Sequence, residues 1–545
     1  MQRITTSFFT LLLLLAVTSL SAQTRYLDEI FDVTGPTTET YATNLSFGLM
    51  FQPDELECNI YEPANEDSDQ LRPVVVLWPT GNFLPAYLNQ GPYGTQLDSA
   101  NVTTLRKLAA RGYVGIHAEY RFGWLPGADD QVTRTETLLK AAYRGGQDAH
   151  AMARWLRMTV AEEGNPYQID TNRIVFWGFG TGGYVALTHA FLDDVDELIP
   201  NIQFYDDEGN LLIDEAEDSN PQGTTATMFN MVNTPGYNSD VAMSLNSGGA
   251  LGDPAWIDGG GNEPIVIGHH HYTDFFAPYN VGTVIVPTTG ETVVSGVAGT
   301  RRVVELANES GLNDALEPAN AFPLPDMFGP LASAVNAINQ GQQGVTVDLA
   351  ILNPADQTMG ALSVPNMFTH AYTSRLANEG NPTSGTYNWI DLATAQFVLA
   401  QVEMMFPGVP PTFEALIAGE SMFNPNYDNP EQAKLTIDTM LAHFLPRAWY
   451  GLNLEELVNT EELVQADAIG LTVAPNPASE YFLVNTENER ILEASLFDIN
   501  GREVATFGNV NNTSLRVDRN NLPNGQYILR VRVEQGIVTQ KVMIH

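Results

Sequence analysis

Residues 174–183 read Ile174-Val-Phe-Trp-Gly-Phe-Gly-Thr-Gly-Gly. The apolar run from Ile174 to Trp177 predicts a buried strand, and Tyr184-Val-Ala-Leu-Thr-His-Ala-Phe-Leu predicts a helix after it. A strand, a sharp Gly-rich turn and a helix expose the residue at the tip of the turn. With serine there, in the frame G-x-S-x-G, the hydroxyl attacks acyl carbonyls. Here the frame is Gly178-Phe-Gly-Thr-Gly182, and Gly180 holds the tip, with no oxygen to attack with. Thr181 has a hydroxyl, but the turn presents only its tip, and a β-branched side chain is stiff. Thr181 is therefore expected to pack or hydrogen-bond within the turn, a nucleophilic role being the sharper alternative. His269-His270-His271 raises metal binding. In extended chain only His269 and His271 share a face. Two imidazoles fall short of the roughly three or four protein ligands of a zinc site, and no HExxH or CxxC pattern accompanies them. The expectation is no metal and no cofactor, with the histidines ending a strand or lining a pocket.

Parallel-sheet elements would position these residues. Arg72-Pro-Val-Val-Val-Leu-Trp reads as a strand buried on both faces. A helix is expected over 102–111, stopped by Gly112, then a strand at Tyr113-Val-Gly-Ile-His-Ala-Glu-Tyr, then a long helix over 137–159. Asp148 and Arg154 on that helix read as a polar pair, and Glu119 and Arg121 as residues that fix loop geometry. Two further strands follow at Asp240-Val-Ala-Met-Ser-Leu-Asn and Glu263-Pro-Ile-Val-Ile-Gly, and a closing helix over 431–446, with His443 beside its core positions. Strand–helix–strand order implies a doubly wound, mostly parallel sheet with right-handed crossovers. Residues 286–380 are less periodic and read as an irregular insert, a lid or binding loop. From Leu471 the texture changes to short alternating strands with turns at Asn500-Gly501 and Asn524-Gly525, which predicts a small all-β sandwich.

A chain of 545 residues is long enough for two or more domains. The expected division is 1–22, 23–455, a linker at 456–470, and 471–545. Arg3, the apolar stretch Phe8 to Val17 and the small residues ending Ser21-Ala22 read as a secretory signal peptide cleaved before Gln23. No later run reaches the ~18 apolar residues of a membrane span. Asp and Glu outnumber Lys and Arg 65 to 25, a formal charge of −40, which repels phosphate backbones and argues against nucleic acid as a partner. Cys58, the single cysteine, excludes an intrachain disulfide and reads as a packed thiol.

Two resemblances extend this reading. Val473-Ala-Pro-Asn-Pro-Ala-Ser-Glu, Leu496-Phe-Asp-Ile-Asn-Gly-Arg-Glu-Val, Leu522-Pro-Asn-Gly-Gln-Tyr-Ile-Leu-Arg-Val and Lys541-Val-Met-Ile resemble the type A C-terminal sorting domain of the type IX secretion system. That resemblance implies the type IX machinery as a partner and a secreted or cell-surface location. Arg111-Gly-Tyr-Val, Glu119-Tyr-Arg-Phe-Gly, Gln147-Asp-Ala-His-Ala-Met-Ala-Arg-Trp-Leu-Arg, Ile169-Asp-Thr-Asn-Arg-Ile-Val and the turn at Gly180 resemble the esterase/lipase branch of the α/β-hydrolases. The resemblance implies a triad in the order nucleophile, acid, histidine. It places the acid at Asp274, after the Glu263 strand, and the base at His370, with His443 second. It places the oxyanion amides at Thr181 and in the loop Trp78-Pro-Thr-Gly-Asn-Phe, where Gly81 and Asn82 are the donors and Pro79 and Thr80 replace the family's His and first Gly.

With the nucleophile absent, the expectation is a secreted hydrolase-fold protein impaired in catalysis. Its cleft would still bind an ester, acylated glycan or peptide, since binding needs shape and a few polar groups. The alternatives are an active esterase-like hydrolase with an atypical nucleophile, and a surface structural or adhesion protein.

Overall fold

The computed structural model describes residues 24–46, 52–65, 70–89, 91–260, 262–321, 364–370, 382–457 and most of 466–545, with a few positions between 324 and 331. The expected leader at 1–22, much of 320–380, part of the expected linker and the turn at Asn500-Gly501 lie outside the described residues. The chain forms two compact units, Met1–Leu454 and Glu455–His545.

The first unit is built on one eight-stranded sheet. In chain order its elements are β1 (Asp32–Ser46), β2 (Gln52–Ala64), β3 (Arg72–Trp78), α1 (Ser99–Ala109), β4 (Val114–Ala118), α2 (Gln131–Glu162), β5 (Ile169–Phe179), α3 (Thr181–Phe191) and β6 (Met243–Ser247). Then come β7 (Ala250–Leu251), β8 (Ile265–His271), β9 (Val281–Ile285), β10 (Thr292–Gly299), α4 (Thr300–Glu309), β11 (Met367–His370), α5 (Leu392–Met405), α6 (Phe413–Ser421) and α7 (Pro430–Gly451). Strand order in the sheet is β1-β2-β4-β3-β5-β6-β8-β11. The β1–β2 and β2–β4 pairs are antiparallel; from β4 to β11 every neighbouring pair is parallel. All of β3 is buried. Side chains of a strand alternate between faces, so both faces of the sheet are covered there. A separate sheet, β7-β10-β9, is antiparallel.

Local sequence explains the helix boundaries. The long helix starts at Gln131, six residues ahead of the expected position, because Asp130 caps it: its carboxylate accepts from the Thr133 amide at 2.8 Å. Asn429 caps α7 through the Gln432 amide, with Pro430 in the first turn. This helix runs past the expected end at Pro446 to Gly451, held by the burial of Phe444, Leu445, Ala448 and Trp449. Within 286–380, read as irregular, the structure places β10, α4 and β11. His370, read as a loop residue, therefore ends a buried parallel strand paired with β8 in the register His370↔His271.

The expected Asp148–Arg154 pair does not form. Asp148 instead accepts from the backbone and guanidinium of Arg121, with Nε–Oδ1 at 2.8 Å and both side chains essentially without exposure. Arg154 bonds the carbonyls of Asn233 and Gln222. Glu119 does fix a loop, accepting from the Glu57 amide and Gln96.

The second unit has two antiparallel sheets. One contains β12 (Thr472–Ala474), β13 (Tyr481–Asn485) and β16 (Ser514–Asp518). The other contains β14 (Glu493–Asp498), β15 (Glu503–Phe507), β17 (Gly525–Val533) and β18 (Gly536–Ile544). Inward residues of both sheets, among them Phe482, Val484, Leu496 and Leu529, share one core. Along β17 Tyr527, Leu529, Val531 and Val533 are buried and the residues between them exposed, the alternation of a half-buried strand.

Candidate functional site

The parallel strands β5, β6, β8 and β11 all end on one side of the sheet, and a cavity of about 480 Å³ opens there. Gly180 follows β5, Ser247 ends β6, His271 and Asp274 follow or end β8, and His370 ends β11; all line the cavity. Ligands bind beyond the carboxyl ends of strands in open α/β sheets, and this cavity has that position.

Glycines set the turn at Gly180. Gly180 has φ +53° and ψ −118°, a conformation that side chains disfavour. Its amide donates to Ser247 O at 2.8 Å, tying the turn to β6. A Cβ at Gly182 would overlap the carbonyl of Trp78, so that glycine lets α3 approach β3 closely. A Cβ at Gly180 would overlap the Thr80 hydroxyl and lie 2.9 Å from Thr80 Cβ. The space where a nucleophilic side chain would begin is thus filled from the neighbouring loop. The Thr181 hydroxyl lies 3.0 Å from Tyr120 OH, whose single proton goes to Pro79 O at 2.8 Å. Thr181 is therefore the donor to Tyr120, and its proton is engaged within the turn.

Gly81 and Asn82 lie in the loop after β3 and line the cavity with Thr181. Gly81, Asn82 and Phe83 have φ of +151°, +55° and +51°. Trp124 anchors this loop by donating from Nε1 to Asn82 O at 2.7 Å.

Asp274 and His370 share the cavity without bonding one another. Asp274 accepts from the amides of Phe276 (2.8 Å) and Ala277 (3.2 Å) and from Ser384 Oγ (2.7 Å). Loss of water raises its carboxyl above the usual range, and His270 together with these bonds opposes the rise. His370 is 2 % exposed, both ring nitrogens lack a partner among the described residues, and its ring stacks on His271 at 4.7 Å. Burial, with His269 nearby, holds it well below the ordinary imidazole value, so it is neutral. The remaining imidazoles form a separate chain: Trp177 Nε1 donates to Ser247 Oγ (2.8 Å), which meets His269 Nδ1 (3.2 Å), while His269 Nε2 meets His443 Nδ1 (3.0 Å). His443, expected as a flank of a packed helix and as the second candidate for the base, is thus a hydrogen-bonding member of this cluster. His271 Nε2 meets Thr386 Oγ1 at 2.7 Å. Among the described residues no group of three or more His, Cys, Asp or Glu is arranged to hold a metal ion.

Sequence reasoning passed over Glu420, Tyr387 and Ser384, which also line the cavity. Glu420 lies on α6, accepts from Asn424 Nδ2 at 2.9 Å, and is pushed up to about 7 by loss of water. Its signal was available: Glu420 is a lone carboxylate after the apolar stretch Ala415-Leu-Ile-Ala-Gly. Tyr387 stands within the electrostatic reach of both Asp274 and Glu420.

Comparison with solved structures gives esterases. Over 45% of this chain and 75% of the other, the apo form of Thermogutta terrifontis esterase 2 is similar at 18% identity and a TM-score of 0.26. Its butyrate-bound form is similar at 16% identity over the same shares, with a TM-score of 0.25. The form phosphorylated by paraoxon reaches 19% over 47% of this chain and 77% of that one, with a TM-score of 0.26. No curated protein matches the chain. Residues 472–545 match the secretion system C-terminal sorting domain, a range that begins at β12 and takes in both sheets of the second unit. The chain therefore carries a type IX sorting tail, and is a protein exported to the cell surface or the medium.

Proposed function

We propose that residues 23–455 form an α/β-hydrolase fold that has lost serine hydrolysis and keeps a ligand-binding cleft, exported with 1–22 as its leader and 471–545 as its sorting domain. The observation that carries this reading is Gly180: the turn keeps its exposed conformation, yet its tip has no side chain and Thr80 fills the space. Two others support it. Asp274 is bonded to Ser384 and backbone amides, and among the described residues no histidine bonds it and no carboxylate orients His370. The cleft, lined by both polar and aromatic side chains, suits an ester, acylated glycan or peptide. Hydrolysis of short p-nitrophenyl acyl esters by the full chain tests the proposal. The expected rate is that of buffer, while one of these ligand classes raises the unfolding midpoint. Turnover above background that Asp274→Ala abolishes would sink it.

A second reading, an active esterase-like hydrolase with an atypical nucleophile, draws on the same contact. The Thr80 hydroxyl stands where the missing side chain would start, beside the oxyanion-loop residues Gly81 and Asn82. That reading requires turnover lost in Thr80→Val or Thr181→Val. A surface structural role instead requires that no ester, glycan or peptide stabilise the fold.

A further inference from the structure

The described lining of the cavity contains two carboxyl groups and no Lys or Arg to balance them. Asp274 comes from the loop after β8 and Glu420 from α6, segments 146 residues apart in the chain. Neither forms an ion pair with Lys or Arg among the described residues, and no described Lys or Arg lines the cavity. The groups facing Asp274 are Ser384, His270, Tyr184 and Tyr387, with the amides of Phe276 and Ala277. Those facing Glu420 are Asn424, Tyr93 and Tyr387. All are neutral. Unpaired carboxylates away from bulk water cost free energy unless a cation meets them.

Three features of the walls point to the same ligand. Phe83, Trp124, Tyr184 and Phe423 offer aromatic surface, which attracts organic cations through the ring faces. His370, 2 % exposed with both ring nitrogens unpartnered among the described residues, lines the cavity and is neutral, hence able to accept a hydrogen bond from an N–H. The formal charge of −40 draws cations toward the molecule and repels anions.

We propose that the cleft binds an organic ammonium ion on an apolar or aromatic body, its charge held between Asp274 and Glu420 beside Tyr387. The inference rests on the cleft-binding reading above and names the ligand class for it. It excludes free carboxylates and phosphates as the group recognised at this end.

Calorimetric titration of the full chain tests it with three probes of similar shape: benzylammonium, benzyl alcohol and phenylacetate. The ammonium should bind at one site, and the other two at least about tenfold more weakly, as expected for loss of one charged partner. Glu420→Gln and Asp274→Asn keep the shape and one accepting oxygen while removing the charge; each should weaken the ammonium about tenfold, at unchanged circular dichroism. Affinity of the natural chain should rise with pH as Glu420 ionises near 7, and that rise should vanish in Glu420→Gln. Phenylethylamine binding more tightly than a lysine-containing peptide amide would identify a small amine, and the reverse a peptide; either supports the proposal. Equal binding of all three probes, or ammonium affinity unchanged in both variants, overturns it. If acyl esters or glycans stabilise the protein while no ammonium does, the charge assignment fails and the cleft reading stands. If nothing binds, both fail.

Discussion

The tip of the turn after β5 carries no side chain, and Thr80 occupies the space where one would begin. A serine introduced at Gly180 does not put a nucleophile in place. The new Cβ would meet Thr80, and the residue would sit at φ +53° and ψ −118°. Such a conformation costs a side chain on the order of 1–3 kcal/mol. Gly180→Ser should therefore lower stability by about that amount and yield no ester hydrolysis, because Asp274 and His370 remain unbonded. Thr80→Gly in the same chain should recover part of the stability. Urea unfolding of the single and double variants decides; a Gly180→Ser protein as stable as the natural one would show that Thr80 moves aside freely. Glu420 gives a second test at this scale. Its carboxyl titrates near 7 in the folded chain and near 4.3 when unfolded. The folded state thus binds the proton more tightly, so this contribution is complete below about 4.3 and is lost as pH rises through about 7. Glu420→Gln cannot lose it. The midpoint of the variant minus that of the natural chain should widen from about pH 5 to about pH 8, and a constant difference would refute the assignment.

Helix α2 shows how an element is fixed by a partner the sequence does not announce. Arg121 gives its backbone amide and Nε to Asp148, and its remaining donors to Arg144 O, Gln147 Oε1 and Phe229 O. This binds the helix to the strand end before it and to a loop 108 residues away. Removing one member of a buried pair leaves the other charge without compensation, at about 3–5 kcal/mol. Asp148→Ala should cost that much in urea unfolding, and a loss under about 1 kcal/mol would mean that water replaces the carboxylate. From the sequence, Asp148 and Arg154 looked like the pair, because near two-turn spacing is visible along a helix while a contact from another element is not. The same limit explains the other differences. Strands β3, β5 and β8 were legible because continuous apolar runs mark burial on both faces. The start of α2 was missed because its mark is one capping side chain, Asp130. The four-residue strand β11 was missed because its pairing with β8, not its own pattern, makes it a strand.

At the scale of the whole molecule, legibility followed how local each signal is. The second unit was readable as an all-β unit because alternating strands carry their pattern within a few residues, and because four short stretches fall in a fixed order. The cavity was readable only in part. Gly180 announces itself in ten consecutive residues, but Thr80, Asp274, His370 and Glu420 come from segments up to 340 residues apart, and only folding decides which of them meet. The two units also divide the labour: the cavity lies wholly within the first, and the sorting match wholly within the second. Export and ligand binding should then be separable. Each unit has its own core, and a domain with its own core can fold without its neighbour. A chain ending at residue 454 should retain the unfolding transition of the first unit and any ligand affinity of the cavity, while failing to reach the cell surface or the medium. Residues 455–545 placed behind a leader and an unrelated reporter should carry the reporter outside. Cell fractionation of both chains, with calorimetry of the first, checks this. A truncated chain that still reaches the surface would show that the first unit holds an export signal of its own; one that no longer unfolds cooperatively would show that the second unit contributes to the cavity's fold as well as to its address.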